Sequence, residues 1–172
     1  RWVIDPIDGT KAFTHGVATY SNLLYMEDEH GPAIGVINLP ALGETVYAAR
    51  GLGCFLDGTK VSVSTRDEIA GSYLCCTGFH EWTPAMFERV QGAGIELRTW
   101  GDAYGYALVA SGRAEAMFDP VLAWWDIAAL TVIVPEAGGR LTSWHGSDEL
   151  LHHEGEHYTA IASNGAFHDR LV

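Results

Sequence analysis

Residues 2–13 read Trp2-Val3-Ile4-Asp5-Pro6-Ile7-Asp8-Gly9-Thr10-Lys11-Ala12-Phe13. The apolar run Trp2-Val3-Ile4 predicts the end of a buried strand, and Thr10 to Phe13 has the composition of a short helical turn. Between them two carboxylates, Asp5 and Asp8, stand three residues apart, with Pro6 stiffening the link. Carboxylates this close repel each other unless a cation holds them together. A hard divalent ion, Mg²⁺ above all, suits oxygen ligands and keeps waters that a substrate phosphate can displace. Gly9 permits a tight backbone path, and the N–H groups of Gly9 and Thr10 would sit where an incoming helix receives anions. The stretch predicts metal and phosphate at one corner. Taken alone, Asp-Pro and Asp-Gly are also common turn formers, and Asp-x-x-Asp spacings are frequent in solvated loops.

Outward from that corner, the 172 residues predict one domain with room for a sizeable core. Hydrophobic residues make up 48% and charged residues 19%, which is globular rather than disordered. Ten Lys and Arg face 22 Asp and Glu, for a net charge of −12. That balance argues against nucleic acid and against anionic membrane surfaces as partners. It also leaves few basic side chains for a bound phosphate, a shortage that metal ions would relieve. The three cysteines, Cys54, Cys75 and Cys76, form no Cys-x-x-Cys spacing, so a reduced cytoplasm is the expected location. Apolar runs are too short for a membrane span and no signal peptide is visible. The chain opens at Arg1 without Met and reads as cut from something longer.

The pattern continues as strands at Tyr20 to Glu27, Pro32 to Leu39 and Glu44 to Ala49, with a hairpin turn at Asp28-Glu29-His30-Gly31 and another at Asp57-Gly58-Thr59. This is an antiparallel meander with alternating faces. Ser72 to Thr77 predicts a short buried strand, and Thr83 an N-cap for a helix to about Gln91 with Pro84 in its first turn. Glu96 to Trp100 reads as a strand, Gly101-Asp102 as the start of an apolar helix to Ser111, and Ala114 to Phe118 as a strand ending at Asp119-Pro120. Trp125-Asp126 opens the most apolar helix, through Pro135 to Ala137. Arg140 to Ser143 and Tyr158 to Ala162 are further strands, and Asn164 caps a last helix. Strands and helices mix without strict alternation, which predicts a layered α/β or α+β sandwich.

Asp126 sits at a predicted helix start, after Trp124-Trp125 and before Ile127-Ala128-Ala129-Leu130. Alone it would be an N-cap. Together with Asp5 and Asp8 it makes an acidic cluster suited to two divalent ions.

Residues 2–13 (WVIDPIDGTKAF) and 124–139 (WWDIAALTVIVPEAGG), about 110 residues apart, resemble the two signatures of the inositol monophosphatase family. The resemblance covers essentially the whole chain. It implies that family's fold and a Mg²⁺-dependent, lithium-sensitive phosphatase of small phosphate monoesters, with two or more Mg²⁺ ions per site. It further implies that Asp5 bridges two metals, that the Ile7 carbonyl binds the first, and that Asp8 and Asp126 bind the second. Thr10 and Asp8 would be catalytic, Thr10 orienting the attacking water, and the Gly9 and Thr10 N–H groups would receive the phosphate. Lys11-Ala12-Phe13 departs from the Thr-Asn-Phe usual in inositol phosphatases and is similar to histidinol phosphatases and nucleotide 3′-phosphatases. Arg98 to Pro120 resembles the histidinol-phosphatase branch most closely. Gly101, Asp102, Ala103 and Asp119 would then line the alcohol side of the pocket, where two carboxylates match a substrate bearing an amine and an imidazole.

The expected function is hydrolysis of histidinol phosphate in histidine biosynthesis. Inositol phosphate and nucleotide 3′-phosphates are rival substrates, and a non-catalytic remnant or interaction domain is the rival from another class. The family also uses glutamates from a motif upstream of its Asp-Pro-Ile-Asp-Gly-Thr segment, and nothing before Arg1 supplies them, so an N-terminally shortened and inactive fragment is expected. The expected partner is a small phosphorylated substrate, and the reading admits a homodimer. His152, His153, Glu154 and His157 read either as a transition-metal cluster or as a solvated loop. Cys75-Cys76 reads as core packing, and Trp100 and Trp125 as pocket walls or, more simply, core residues.

Overall fold

The computed structural model describes residues 1–148 and 157–172. Its first half is a six-stranded antiparallel meander in simple sequence order: β1 (Trp2–Asp8), β2 (Ser21–Asp28), β3 (Gly31–Leu39), β4 (Glu44–Ala49), β5 (Gly53–Leu56) and β6 (Thr59–Val61). The short helix α1 (Thr10–Thr14) fills the β1–β2 connection. Alternation produces this sheet: Leu23 and Tyr25, Ile37 and Leu39, Val46 and Ala48, and Cys54 are buried along one face, while the residues between them face outward.

The second half forms a five-stranded mixed sheet in the order β10-β11-β9-β7-β8. Its strands are β7 (Tyr73–Cys76), β8 (Glu96–Arg98), β9 (Ala116–Leu122), β10 (Arg140–Thr142) and β11 (Tyr158–Ser163). β7 pairs in parallel with both β8 and β9, and the pairings β9–β11 and β11–β10 are antiparallel. Between the two sheets lie α3 (Asp102–Ala110) and α5 (Leu130–Glu136), which touch strands of both. α3 buries every residue from Gly105 to Ala110, as a helix covered on nearly every side must, whereas α5 buries Leu130, Val132, Ile133 and Val134 and leaves Pro135 exposed. α2 (Pro84–Gly92) and α6 (His168–Leu171) cover the far face of the five-stranded sheet, and α4 (Trp124–Ile127) leads into α5. The result is the α/β layered sandwich that the strand and helix pattern predicts. Among the described residues no helix is long and apolar enough to cross a membrane.

One contact sets how closely the central helices approach the first sheet. A Cβ at Gly35, in the middle of β3, would lie 2.4 Å from the Ala129 carbonyl oxygen and 3.0 Å from Ile133 Cγ1. Only a residue without a side chain lets the start of α5 rest on the strand.

Several local expectations need correction. β1 ends the sheet, pairing only with β2, and its Trp2 and Ile4 are each 60% exposed because they stand opposite Met26 and Leu24 on the face turned away from the central helices. An apolar run reads the same at an edge and at a centre. The strand expected to end at Asp119-Pro120 continues to Leu122. Pro120 is tolerated there because β7 pairs no further than Phe118, and because the β9–β11 register shifts between Tyr158 and Ala160. The helix expected from Trp125 to Ala137 is two helices joined at Ala128-Ala129. Asn164 does not cap the last helix, which begins at His168. Its Oδ1 accepts from the Ala166 N–H and its Nδ2 donates to the Arg66 carbonyl. Thr83 does cap α2, its hydroxyl accepting from the Met86 N–H at 3.3 Å.

Candidate active site

Asp5 and Asp8 come from β1 of the first sheet, and Asp126 from α4, above the second. Their carboxylate oxygens converge to within 4.8 Å of one another. Asp126 is the third helical residue and not the cap. Ala123 holds the cap position, and the Asp126 Oδ2 accepts from the Ala123 N–H at 2.7 Å, which fixes the carboxylate's direction. Asp5 is held by the Ile7 N–H, donating to its Oδ1 at 3.0 Å. The Asp8 Oδ2 accepts from the Ser21 hydroxyl at 2.8 Å and from the Ala103 N–H at 2.9 Å.

These carboxyls are short of positive charge. Burial pushes Asp8 from its ordinary 3.8 up to about 7, with its two hydrogen bonds opposing and the Asp102 and Asp126 charges adding to the rise. Burial also raises Asp126 to about 6, and the adjoining Asp5 carboxyl, by hydrogen bond and by charge, adds to the rise. A cluster arranged this way favours either protons or a cation. Hard oxygen donors of this type fit Mg²⁺ or a similar divalent ion.

Around the cluster, Gly9 adopts φ +72° at the cap position of α1, and Thr10 is its first residue. A Cβ on Gly9 would come within 3.1 Å of Asp102 Oδ2, so the glycine lets β1 approach the start of α3. The Thr10 hydroxyl donates to the Ile7 carbonyl at 3.1 Å. This leaves its lone pairs free to accept.

Next to the carboxylates lies a small pocket of about 80 Å³ lined by Asp8, Asp102, Ala103, Asp119 and Asp126, with Thr77, Tyr106, Val121 and Leu122 completing it. Gly101 is not part of the lining; it caps α3 and lies against the Thr77 backbone. Asp102 is the first residue of α3 at φ +53°, its N–H donating to the Thr77 hydroxyl at 2.9 Å. Burial raises its pKa, opposed by the Lys11 charge. Asp119 is a strand residue only 2% exposed, not a turn acid. Its Oδ1 accepts from the Thr77 N–H at 3.3 Å and its Oδ2 has no hydrogen-bond partner. Burial lifts it to about 7. The Tyr106 hydroxyl, fully buried, is likewise unpartnered: it is near enough to influence Asp119, but the two do not reach hydrogen-bond geometry.

Thr77, Tyr106 and Ser21 are the residues that sequence reasoning passed over. Thr77 ends a strand and Tyr106 sits in an apolar helix, and neither pattern signals a polar task. Trp100 and Trp125 are 40% and 54% exposed and neither is core. Cys75 and Cys76 are free and buried, with thiols pushed up to about 12 by burial, as core packing requires. His152, His153 and Glu154 lie outside the described residues, and His157 is exposed just before β11.

The sequence profile of the inositol monophosphatase family matches residues 1–172. The chain belongs to this family. A histidinol-phosphatase of Chlorobaculum parvum is 40% identical over 176 residues, covering 100% of this chain and 66% of that protein. A histidinol-phosphatase of Mycobacterium tuberculosis is 37% identical over 182 residues, covering 100% and 68%. The chain thus spans about two thirds of the length of these curated family members. Among solved family structures, a Thermotoga maritima IMPase superposes with a TM-score of 0.84 at 32% identity, covering 99% of this chain and 66% of that one.

Proposed function

We propose that this chain carries the metal and phosphate corner of a Mg²⁺-dependent phosphomonoesterase whose substrate is a small phosphate ester with a cationic leaving group, histidinol phosphate above all. The observation that carries the proposal is the convergence of Asp5, Asp8 and Asp126 within 4.8 Å, two of them with raised pKa values. Asp5, Asp8 and Asp126, with the Ile7 carbonyl, would hold the cations. Bound divalent ions would supply polarisation of the phosphate and a water of lowered pKa. The Gly9 and Thr10 N–H groups at the head of α1 orient phosphate oxygens toward the carboxylates. Thr10 Oγ1, its own proton donated to the Ile7 carbonyl, would accept a hydrogen bond from the attacking water and so aim the water's oxygen.

The substrate assignment is supported by the pocket beside the cluster. Asp119 Oδ2 is an unfilled acceptor and the Tyr106 hydroxyl an unspent donor, both buried. A leaving group with an ammonium and an imidazole presents the matching donor and acceptor, whereas a polyol offers no charge. A charge-assisted hydrogen bond of about 1.5–3 kcal/mol corresponds to roughly a tenfold to hundredfold preference. Phosphate release from histidinol phosphate and from inositol phosphate, with Mg²⁺, tests this in the whole protein, as wild type and as Asp119→Asn. The substitution should lower kcat/KM for histidinol phosphate by that order and affect inositol phosphate far less. Equal losses on both substrates would make Asp119 structural, and a wild-type preference for inositol phosphate would reject the histidinol assignment.

A further inference from the structure

A second cavity is several times larger than the acidic pocket. A groove of about 440 Å³ lies on the opposite face of the five-stranded sheet, between α2 and α6. Leu74, Phe118 and Ile161 form its floor and Trp82 and Trp144 its aromatic walls. The Phe118 and Trp144 rings lie within 13° of parallel at 6.2 Å, and Trp82 meets Phe118 edge-on at 5.6 Å. That volume and lining fall in the range of small-molecule sites.

Its charge is opposite to that of the protein. With 22 acidic side chains in the sequence, no Asp or Glu is among the residues lining the groove, and the α-carboxylate of Val172, at its edge, is the acidic group the two arginines have beside them in the 172-residue chain. Eight arginines occur in the sequence. Six spend their guanidinium groups on other parts of the protein: Arg1, Arg50, Arg98, Arg113 and Arg140 in ion pairs, and Arg66 on the Glu68 and Ala70 carbonyls. Among the described residues the two that make no side-chain hydrogen bond, ion pair or ring contact are Arg89 and Arg170, and both line the groove. The buried Trp82 Nε1 adds a donor without an acceptor. An apolar aromatic cleft with two guanidinium groups, a free indole donor and no Asp or Glu side chain keeps a net positive charge and is complementary to an anion with an apolar body.

We infer that this groove binds a small organic anion with an aromatic or similarly flat apolar body, its carboxylate, sulfonate or phosphate held by Arg89 and Arg170. The site is separate from the metal corner and the inference does not rest on the phosphatase reading. The probes are 8-anilinonaphthalene-1-sulfonate and its uncharged analogue N-phenyl-1-naphthylamine, titrated by fluorescence into the 172-residue chain. The sulfonate should bind at one site. Replacing both exposed arginines, Arg89→Gln with Arg170→Gln, should weaken it about tenfold while leaving the uncharged analogue's affinity unchanged. Ala93→Phe, at the groove wall, should abolish binding of both, with circular dichroism confirming that each variant is folded. Sulfonate affinity unchanged in the double-arginine variant, an equal loss for both probes, or binding that survives Ala93→Phe in a folded protein would overturn the inference.

Discussion

Replacing Asp8 by asparagine should make the metal-free protein more stable, and only at high pH. The folded protein raises the Asp8 pKa from 3.8 to about 7, chiefly by burial. Below about pH 4 the carboxyl is protonated in both folded and unfolded chains, and burial costs it no ionisation. Between the two pKa values the unfolded chain releases its proton first, so stability falls as pH rises. Above about pH 7 both forms are ionised and the full cost applies. Three pKa units correspond to about 4 kcal/mol at most, and relaxation around a metal-free cluster makes about 2–4 kcal/mol the working figure. Asparagine keeps an oxygen to accept from Ser21 and Ala103 and removes the charge. Urea denaturation in chelator should therefore show Asp8→Asn more stable than wild type by that amount near pH 9, and equal to it near pH 4. Adding Mg²⁺ near pH 9 should stabilise wild type and close the gap. A destabilised Asp8→Asn near pH 9, or the same gain at both pH values, would refute the reasoning.

Asp5→Asn and Asp126→Asn should each remove most of the Mg²⁺-dependent rise in melting temperature and abolish any Mg²⁺-dependent phosphatase activity, with circular dichroism unchanged. A melting shift as large as wild type's in either variant would disprove a shared cation site. Gly35→Ala forces a methyl against the Ala129 carbonyl and should cost about 1–3 kcal/mol by denaturation. Because the displaced helix follows directly on the turn that carries Asp126, the same variant should bind Mg²⁺ more weakly by calorimetry.

Much of this was legible in the sequence because local chemistry and final structure agree there. The meander from Ser21 to Leu56 follows from alternation and two turn sequences, and Asp5 and Asp8 from their spacing behind a strand. Asp126 could be selected by its flanking residues, but not its place as third residue of the helix, since Ala123 carries no capping side chain to mark the start. The exposure of Trp2 and Ile4 depends on which face of the sheet the central helices cover, which no local pattern encodes. Tyr106 and Thr77 were invisible for the same reason: their significance lies in Asp119, a neighbour brought to them by the fold from another part of the chain. The groove was unreadable because its arginines matter through the Asp and Glu side chains they fail to meet.

β9 is a wall shared by two chambers: Phe118 faces the groove and Asp119, the next residue, the acidic pocket. A slip of one residue would exchange them, placing a carboxylate among the tryptophans and a phenyl ring among the acids. The irregularity opposite Pro120, where the proline has no N–H to offer a shifted partner, pins the strand in its setting. Variation in this segment should therefore be tolerated by replacement and not by length. A single inserted or deleted residue between Ala116 and Leu122 would disable both chambers at once, while an equally small length change in the Asp57–Gly58 turn would cost only that turn and its hydrogen bonds to Thr45.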